Sequence, residues 1–174
     1  MKFLKTIFTA LIVSIFCIST GTAQNFSTRF LKSADKKGMS IVSVNSSMIE
    51  ALKKNEKDKD LLAFLNELTF LRVITIDDAK NAATYYCTAV SLLKKDENYE
   101  ELFSTEVTQL FPSVEQKVII AALGKADKQD KAPEIVLISY QKCQKNVSLT
   151  IVNITGNITI SELDRLTKSI QKSM

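Results

Sequence analysis

The sequence predicts an α+β fold in which helices pack on a mixed, mostly antiparallel sheet. Segments with apolar residues at helical spacing occur in both halves of the chain, and four strand segments follow one another in the second half with only turns and loops between them. The composition is globular, with 45% hydrophobic and 24% charged residues and only 4 Gly and 2 Pro, which excludes collagen-like and disordered chains.

Residues 1–23 predict a cleavable export signal. Two lysines precede the uncharged apolar run 6–20, and the small residues Gly21 and Ala23 stand at the positions that favour cleavage before Gln24. An uncleaved membrane anchor is the alternative, but this run is shorter than the roughly 20 residues of a membrane-spanning helix. We therefore expect cleavage and no transmembrane span after it. The expected product is a single α+β domain over residues 24–174, located in the periplasm or secreted.

The first half of the remaining chain contains three helical segments and two strands. A strand, a helical segment and a second strand in succession resemble a parallel βαβ unit. The predicted elements are a helix over Asn25–Lys37 ended by Gly38, a strand at Met39–Val44, a helix opened by a capping box at Ser47–Glu50, a helix capped by Asp60, and a strand at Phe70–Ile76.

A long helix is predicted between Asp77 and Lys95, because acids begin it and lysines end it, as the helix dipole favours. Cys87 falls beside Ala83 and Val90 on its apolar stripe, so we expect this thiol to be buried and of low reactivity. In an exported protein Cys87 and Cys143 permit one disulfide. Two buried free thiols are the alternative, and the sequence does not decide between them.

The second half predicts a four-stranded antiparallel meander that is followed by a last helix. Gly156 is expected to supply the structural turn between the final strand and this helix, since glycine adopts backbone conformations closed to other residues. The predicted strands are Tyr99–Val107, Glu115–Leu123, Ile135–Gln141 and Val147–Ile154, and the helix opens with a capping box at Thr159–Glu162.

The residue inventory excludes most enzyme chemistry. The chain has no His, which rules out Ser-His-Asp and Cys-His arrangements and His-ligated zinc. Glu100 and Glu101 are adjacent on one strand, so they point to opposite faces and cannot flank one bond. Arg72, inside an apolar strand, is a weak anion-site candidate, and an arginine paired with an acid at the sheet margin is the alternative. We predict no catalytic, cofactor-binding or metal-ligating residue and no cofactor.

The charge distribution gives no support to nucleic-acid binding. The net charge of +4 falls to +2 when the two lysines of residues 1–23 are removed, and lysines alternate with acids in residues 55–60 and 125–131. We expect the partner to be a protein or a small ligand of unknown identity in the cell envelope.

Three features together carry a family resemblance. They are the export signal, the stretch Tyr99-Glu100-Glu101-Leu102 at the start of the meander, and Thr155-Gly156-Asn157-Ile158 ahead of Ser161-Glu162-Leu163-Asp164-Arg165-Leu166. With them the chain resembles domain of unknown function 4252, an uncharacterised family of small exported bacterial proteins. The resemblance implies a bacterial cell-envelope protein and supplies no catalytic residue.

The sequence therefore favours a non-catalytic binding or accessory domain of the cell envelope, and it leaves open whether the protein is an enzyme. The alternative is a small hydrolase or isomerase that uses carboxylates together with Arg72. Acids that converge in a cleft would favour this alternative, and acids dispersed over the surface would count against it.

Overall fold

The computed structural model describes residues 24–110, 113–124 and 130–160, and within these ranges it has four helices and one six-stranded sheet. The helices are α1 (Phe26–Ser33), α2 (Ser46–Asn55), α3 (Lys59–Glu67) and α4 (Ala79–Lys95). The strands are β1 (Met39–Val44), β2 (Leu68–Ile76), β3 (Tyr99–Leu110), β4 (Ser113–Leu123), β5 (Lys131–Cys143) and β6 (Asn146–Thr159). The predicted α+β class is confirmed.

All neighbouring strands of the sheet are antiparallel, in the order β1-β2-β6-β5-β4-β3. The strands β3 to β6 form the predicted meander, so β1 and β3 are the two edges of the sheet. The predicted last helix falls on residues 161–174, outside the described residues, and Thr159 belongs to β6. None of the helices within the described ranges is long and apolar enough to cross a membrane.

The predicted parallel βαβ unit is wrong, because β1 and β2 pair antiparallel with Val44 opposite Leu71 and Met39 opposite Ile76. Two short helices of 10 and 9 residues connect these strands, as the sequence predicts. The helix pair returns the chain to the end of the sheet where β1 finishes, so β2 runs in the opposite direction. A parallel crossover needs a connection that carries the chain back to the start of the first strand.

Three predicted helix signals are also corrected. The Oδ1 of Asn45, not a capping box at Ser47, accepts the backbone N–H of Met48, and α2 begins at Ser46. Asp58, rather than Asp60, caps α3 and accepts two backbone N–H groups. The first helix ends at Ser33, and Gly38, with φ of +68°, lies in the loop before β1. Several neighbouring Asn, Asp and Ser residues compete for each cap, so residue type alone does not choose among them.

The helices cover the two faces of the sheet unequally. The pair α1 and α4 packs on one face, which we call the first face, and α2 and α3 pack on one end of the other, the second face. On the first face Phe26 and Phe30 are completely buried, and burial of each such side chain contributes roughly 1.5–3 kcal/mol. The sheet residues beneath these helices include Ile74, Val136, Ile138, Leu149 and Ile151.

Gly156 is needed for a close approach rather than for a turn, which corrects the prediction. It lies within β6 opposite Leu68, where the register of β2 shifts between Leu68 and Phe70. A Cβ atom at Gly156 would lie 2.0 Å from the backbone oxygen of Glu67, at the end of α3. The glycine therefore lets α3 end directly against β6 and continue into β2.

We expect Gly156→Ala to lower the free energy of unfolding by about 3 kcal/mol or more, because the added carbon overlaps a backbone atom that cannot move independently of α3. Urea denaturation followed by circular dichroism measures the change. The exposed neighbour Asn157 provides the control, and Asn157→Ala should stay within about 0.5 kcal/mol of the unsubstituted protein. Equal effects of the two substitutions would contradict this role of the close approach.

Candidate functional site

A buried carboxylate joins the start of α1 to the sheet. Glu134 on β5 is only 4% exposed, and its Oε1 accepts the backbone N–H of Phe26 at 2.7 Å and the side-chain N–H of Asn153 at 2.6 Å. Its Oε2 accepts the hydroxyl of Tyr99 at 2.9 Å. Asn153, fully buried on β6, accepts the backbone N–H of Ser27 at 3.1 Å. We call Glu134, Asn153 and Tyr99 the polar cluster.

The strand register places this polar cluster under the first helix. Asn153 is opposite Val136 on β5 and Arg72 on β2, so these side chains share the first face of the sheet. The carboxylate of Glu134 meets the N-terminus of α1, where unpaired N–H groups and the helix dipole favour negative charge. Asn25 satisfies a further N–H, that of Thr28, at 3.0 Å. The start of α1 is thus fully engaged by protein groups.

Arg29 extends the polar cluster to the end of α4. Its guanidinium lies 5.3 Å from the centroid of the Tyr99 ring and donates to Asp96 at 2.5 Å. Burial, reinforced by the Glu134 carboxylate, raises the pKa of Tyr99 above its usual value of 10.0, so its hydroxyl remains a donor at all physiological pH values. Burial alone would raise the pKa of Asp96, but the hydrogen bonds from Arg29 and Asn98 and the charge of Arg29 together outweigh it and lower that pKa.

Arg72, the predicted anion-site candidate, lies on β2 beside the same helix. Its Nε donates to the hydroxyl of Ser43 at 3.0 Å, and one terminal nitrogen donates to the hydroxyls of Ser27 and Thr28 at 3.3 and 3.2 Å. Its guanidinium also stacks 4.9 Å from the centroid of the Phe70 ring. Burial lowers the pKa of Arg72, and the described part of the chain brings no carboxylate into ion-pair range. Anion binding there stays a prediction.

The structure does not assemble the carboxylates into a catalytic pair. Glu100 and Glu101 are exposed on β3, opposite Ala122 and Ala121 on successive positions of β4, so they point to opposite faces. Four strand spacings, about 19 Å, separate β3 from Arg72 on β2. Over residues 24–110, 113–124 and 130–160, no three His, Cys, Asp or Glu side chains come close enough to hold a metal ion.

Cys87 and Cys143, the two cysteines of the described residues, are free thiols. Cys87 is exposed, which corrects the predicted burial, and Cys143 is half-buried at the end of β5. The buried side of α4 is rotated by about one residue from the predicted stripe and consists of Ala82, Tyr85, Ala89 and Leu93. Both stripes follow the same helical spacing, so the periodicity alone does not choose between them.

A second polar contact holds the end of α3 to the end of β6. The carboxylate of Glu67 accepts the backbone N–H of Thr159 at 3.0 Å and its hydroxyl at 2.8 Å, and Lys131 approaches it at 3.4 Å. Burial alone would raise the pKa of Glu67, but the hydrogen bonds from Thr159 and Lys131 outweigh it and hold that pKa below 4.5.

Within residues 24–110, 113–124 and 130–160, no helix covers one band of uncharged side chains on the second face. Cross-strand partners form one apolar row that crosses all six strands, and a second row, mostly of hydroxyl residues, runs beside it. We call these two rows the open strip. In order across the sheet, the first row is Val42, Val73, Val152, Leu137, Ile120 and Phe103, and the second is Ser40, Thr75, Thr150, Ser139, Val118 and Thr105.

All twelve residues of the open strip are half-buried or exposed, and Val42 and Phe103 at its ends are 57% and 50% exposed. The adjacent row, which contains Leu71, Ile154 and Ile135, packs under α2 and α3. Taking the strand and residue spacings of a sheet, the open strip covers roughly 400 Å², the size of the functional patches found on monomeric proteins.

Sequence reasoning missed both the polar cluster and the open strip. The sequence has no specific signal for the polar cluster, because an acid that directly precedes an apolar run, as Glu134 precedes residues 135–138, is ordinarily solvated. For the open strip the signal is a strand whose side chains are uncharged on both of its faces. A sheet face in contact with water usually carries charged residues. In β6 the residues Thr150 and Val152 stand between the buried residues Leu149, Ile151 and Asn153.

The antiparallel sheet, the helices on both of its faces and the internally satisfied polar cluster define a small α+β domain without an assembled catalytic constellation among the described residues. In comparisons with protein families, residues 30–166 match a domain of unknown function, DUF4252. Because the match covers most of the chain, the protein belongs to this family, and the predicted resemblance is confirmed. No curated protein matches the chain.

We expect Glu134→Ala to lower the free energy of unfolding by about 3 kcal/mol, because three buried donors lose their acceptor. Chemical denaturation measures the loss. Glu101→Ala, on the exposed part of β3, is the control and should change stability by no more than about 0.5 kcal/mol. If Glu134→Ala were as stable as this control, the polar cluster would not hold α1 on the sheet.

We expect the contribution of Glu67 to depend on acid pH. Its pKa is lower in the folded protein, so its stabilisation is complete above about pH 4.5 and is lost as the pH falls through the folded value. Glu67→Gln should be about 2 kcal/mol less stable at neutral pH, and the difference should shrink below about pH 4.5. Denaturation curves of both proteins from pH 7 to pH 3 test this, and a difference that is constant with pH would contradict it.

Proposed function

We propose that the protein is an exported, non-catalytic binding or accessory domain of the bacterial cell envelope that binds its partner through the open strip. The observation that carries this proposal is the row of apolar side chains across six strands that no described helix covers. The export pattern of residues 1–23 supports the location.

The chemistry of the open strip favours a protein partner. Its twelve side chains comprise seven apolar residues and five hydroxyl residues and carry no charge. A surface without lysine or arginine offers nothing to the phosphates of a nucleic acid. An apolar centre with hydroxyl groups beside it is typical of the core of a protein interface, where charged residues are depleted.

The polar groups of the first face support a binding role rather than the carboxylate-dependent hydrolase or isomerase. Glu134 accepts three hydrogen bonds from the fold itself, and Asn153 joins it to α1. A general acid or base needs a position from which it can reach a substrate proton, and the buried side of α1 closes that approach. The exposed acids Glu100 and Glu101 lie on another strand.

A small ligand is the other class of partner that the surface could accept. An open cleft of about 760 Å³ lies between the start of α4 and the turn from β5 to β6, and Asp77, Cys143 and Lys145 contribute to its lining. Its volume is in the range of small-molecule sites, but such sites are usually enclosed and mostly apolar. The open strip therefore remains the better supported binding surface.

Site-specific photocrosslinking tests the proposal in the envelope of a producing bacterium. A benzophenone amino acid replaces Val152 at the centre of the open strip, and in a control protein it replaces the exposed Ser91 on α4. We expect an adduct with an envelope protein from position 152 and none from position 91. Mass spectrometry of the same material should find a mature N-terminus at Gln24.

Three results would contradict the proposal. One is the absence of adducts from position 152 in a folded and exported protein. Another is an adduct that joins position 152 only to residues 161–174 of its own chain, because the strip would then be covered internally. The third is an intact Met1 in the exported fraction, which would overturn the assignment of the export signal.

A further inference from the structure

Among the described strands, β3 is a long edge of the sheet. It has 12 residues, ten of which are exposed, and the only described strand that pairs with it is β4. Phe103, Val107 and Leu110 are 50%, 43% and 90% exposed. Proteins usually protect such edges with charged residues, with proline, with β-bulges or by keeping the strand short. In β3 the glutamates Glu100 and Glu101 and the bulge lie at the start of the strand, whereas Phe103–Leu110 contains no lysine or proline and a single acid, Glu106.

We infer that β3 pairs antiparallel with β3 of a second copy of this chain, around a two-fold axis through Thr105. The two sheets would then join into one sheet of twelve strands. The contact uses the edge of the sheet, so it is separate from binding through the centre of the open strip.

The distribution of apolar residues along β3 selects this register. A two-fold axis normal to the sheet places the second faces of both copies on the same side of the joined sheet. An axis through Thr105 then places Phe103 of each copy opposite Val107 of the other. Phe103, Thr105 and Val107 all point to the second face, since their partners Ile120, Val118 and Gln116 are alternate residues of β4. Two aromatic and β-branched cross-strand pairs would result, which are among the stabilising pairs of antiparallel sheets.

The charges of the strand agree with the same register. An axis through Glu106 would set two carboxylates directly opposite each other, which destabilises a strand pair. With the axis at Thr105, Glu106 faces Ser104 of the other copy. Lys117 on β4 already binds the Glu106 carboxylate at 3.0 Å, so the acid beside the proposed axis is compensated within each chain.

The open strip continues through this contact, which favours a second copy over an unrelated extended peptide. Phe103 ends the apolar row of one copy, and Val107 of the other copy would lie directly beside it. An unrelated peptide would need to have the same alternation of apolar and polar residues. A second copy of β3 has this alternation, because its Val107 pairs with Phe103 and its Phe103 pairs with Val107. Exposed apolar side chains at the edge would then be shielded in solution.

Sedimentation of the purified, signal-cleaved protein at increasing concentration tests the pairing. We expect a dimer, and Val107→Lys should halve the sedimenting mass, because a lysine would replace the residue opposite Phe103. Val42→Lys is the matched control, since Val42 is an exposed valine on the same face of the other edge strand, β1, and this variant should remain dimeric. A monomeric unsubstituted protein, or a dimer unchanged by Val107→Lys, would overturn the inference.

A crosslinking experiment identifies the register and does not depend on the stability of the lysine variant. Under mild oxidation, Thr105→Cys should give a covalent dimer whose peptide map contains a disulfide between the two introduced cysteines. Thr108→Cys should give none, because three residues on each side of the axis separate these positions by about 20 Å. A dimer bridged equally well through position 108, or an unrelated peptide bound along β3, would refute the pairing of two copies.

Discussion

The fold depends on the burial of one carboxylate. Glu134 has lost nearly all contact with water, and a charge in that position is tolerable only when hydrogen bonds replace the lost hydration. The three donors that do so come from α1, β6 and β3, which lie far apart in the sequence. The interaction therefore fixes where the first helix sits on the sheet, and the apolar side chains Phe26 and Phe30 follow it into the core of the first face.

This anchoring explains why the two faces of the sheet differ. On the first face α1 is held by Glu134 and Asn153 at its start and by the ion pair of Arg29 with Asp96 further along, so it remains packed beside α4. On the second face α2 and α3 are tied to the sheet at one end, through Glu67 and the close approach at Gly156. The helices there cover the strand residues at one end of that face, among them Leu71, Ile154 and Ile135, and no described helix covers the two rows of the open strip.

The sequence predicts the parts of the fold that depend on local patterns. The meander is predicted because each strand carries its own run of β-forming residues and is bounded by its own turn or loop. The direction of β2 against β1 is a long-range property, and the two predicted helical segments between these strands do not determine it. The role of Gly156 is also a long-range property. It lies against the backbone of Glu67, and no local sequence pattern predicts that contact.

The side chains of the candidate site show the same difference between what local sequence patterns predict and what long-range contacts determine. The sequence identifies Arg72 as a candidate because it interrupts an apolar strand. In the structure its guanidinium donates hydrogen bonds to three hydroxyl groups and stacks on the ring of Phe70. The sequence does not identify Glu134 as a buried residue, because an acid at the start of a predicted strand is ordinarily solvated. Whether such an acid is buried depends on the helix that packs over it, and α1 reaches Glu134 from 108 residues away in the sequence.

Two parts of the sheet that no described helix covers differ in their content of charged residues. Where the first face extends beyond its helices near β3 and β4, it carries Glu106, Lys117 and Glu115, as a surface in permanent contact with water does. The open strip is uncovered in the same sheet, yet its twelve residues carry no charge. Water contact alone gives no reason for this difference, whereas contact with a partner does, because an interface core excludes charges that would lose their hydration on binding. This difference supports the proposal that the domain binds its partner through the open strip.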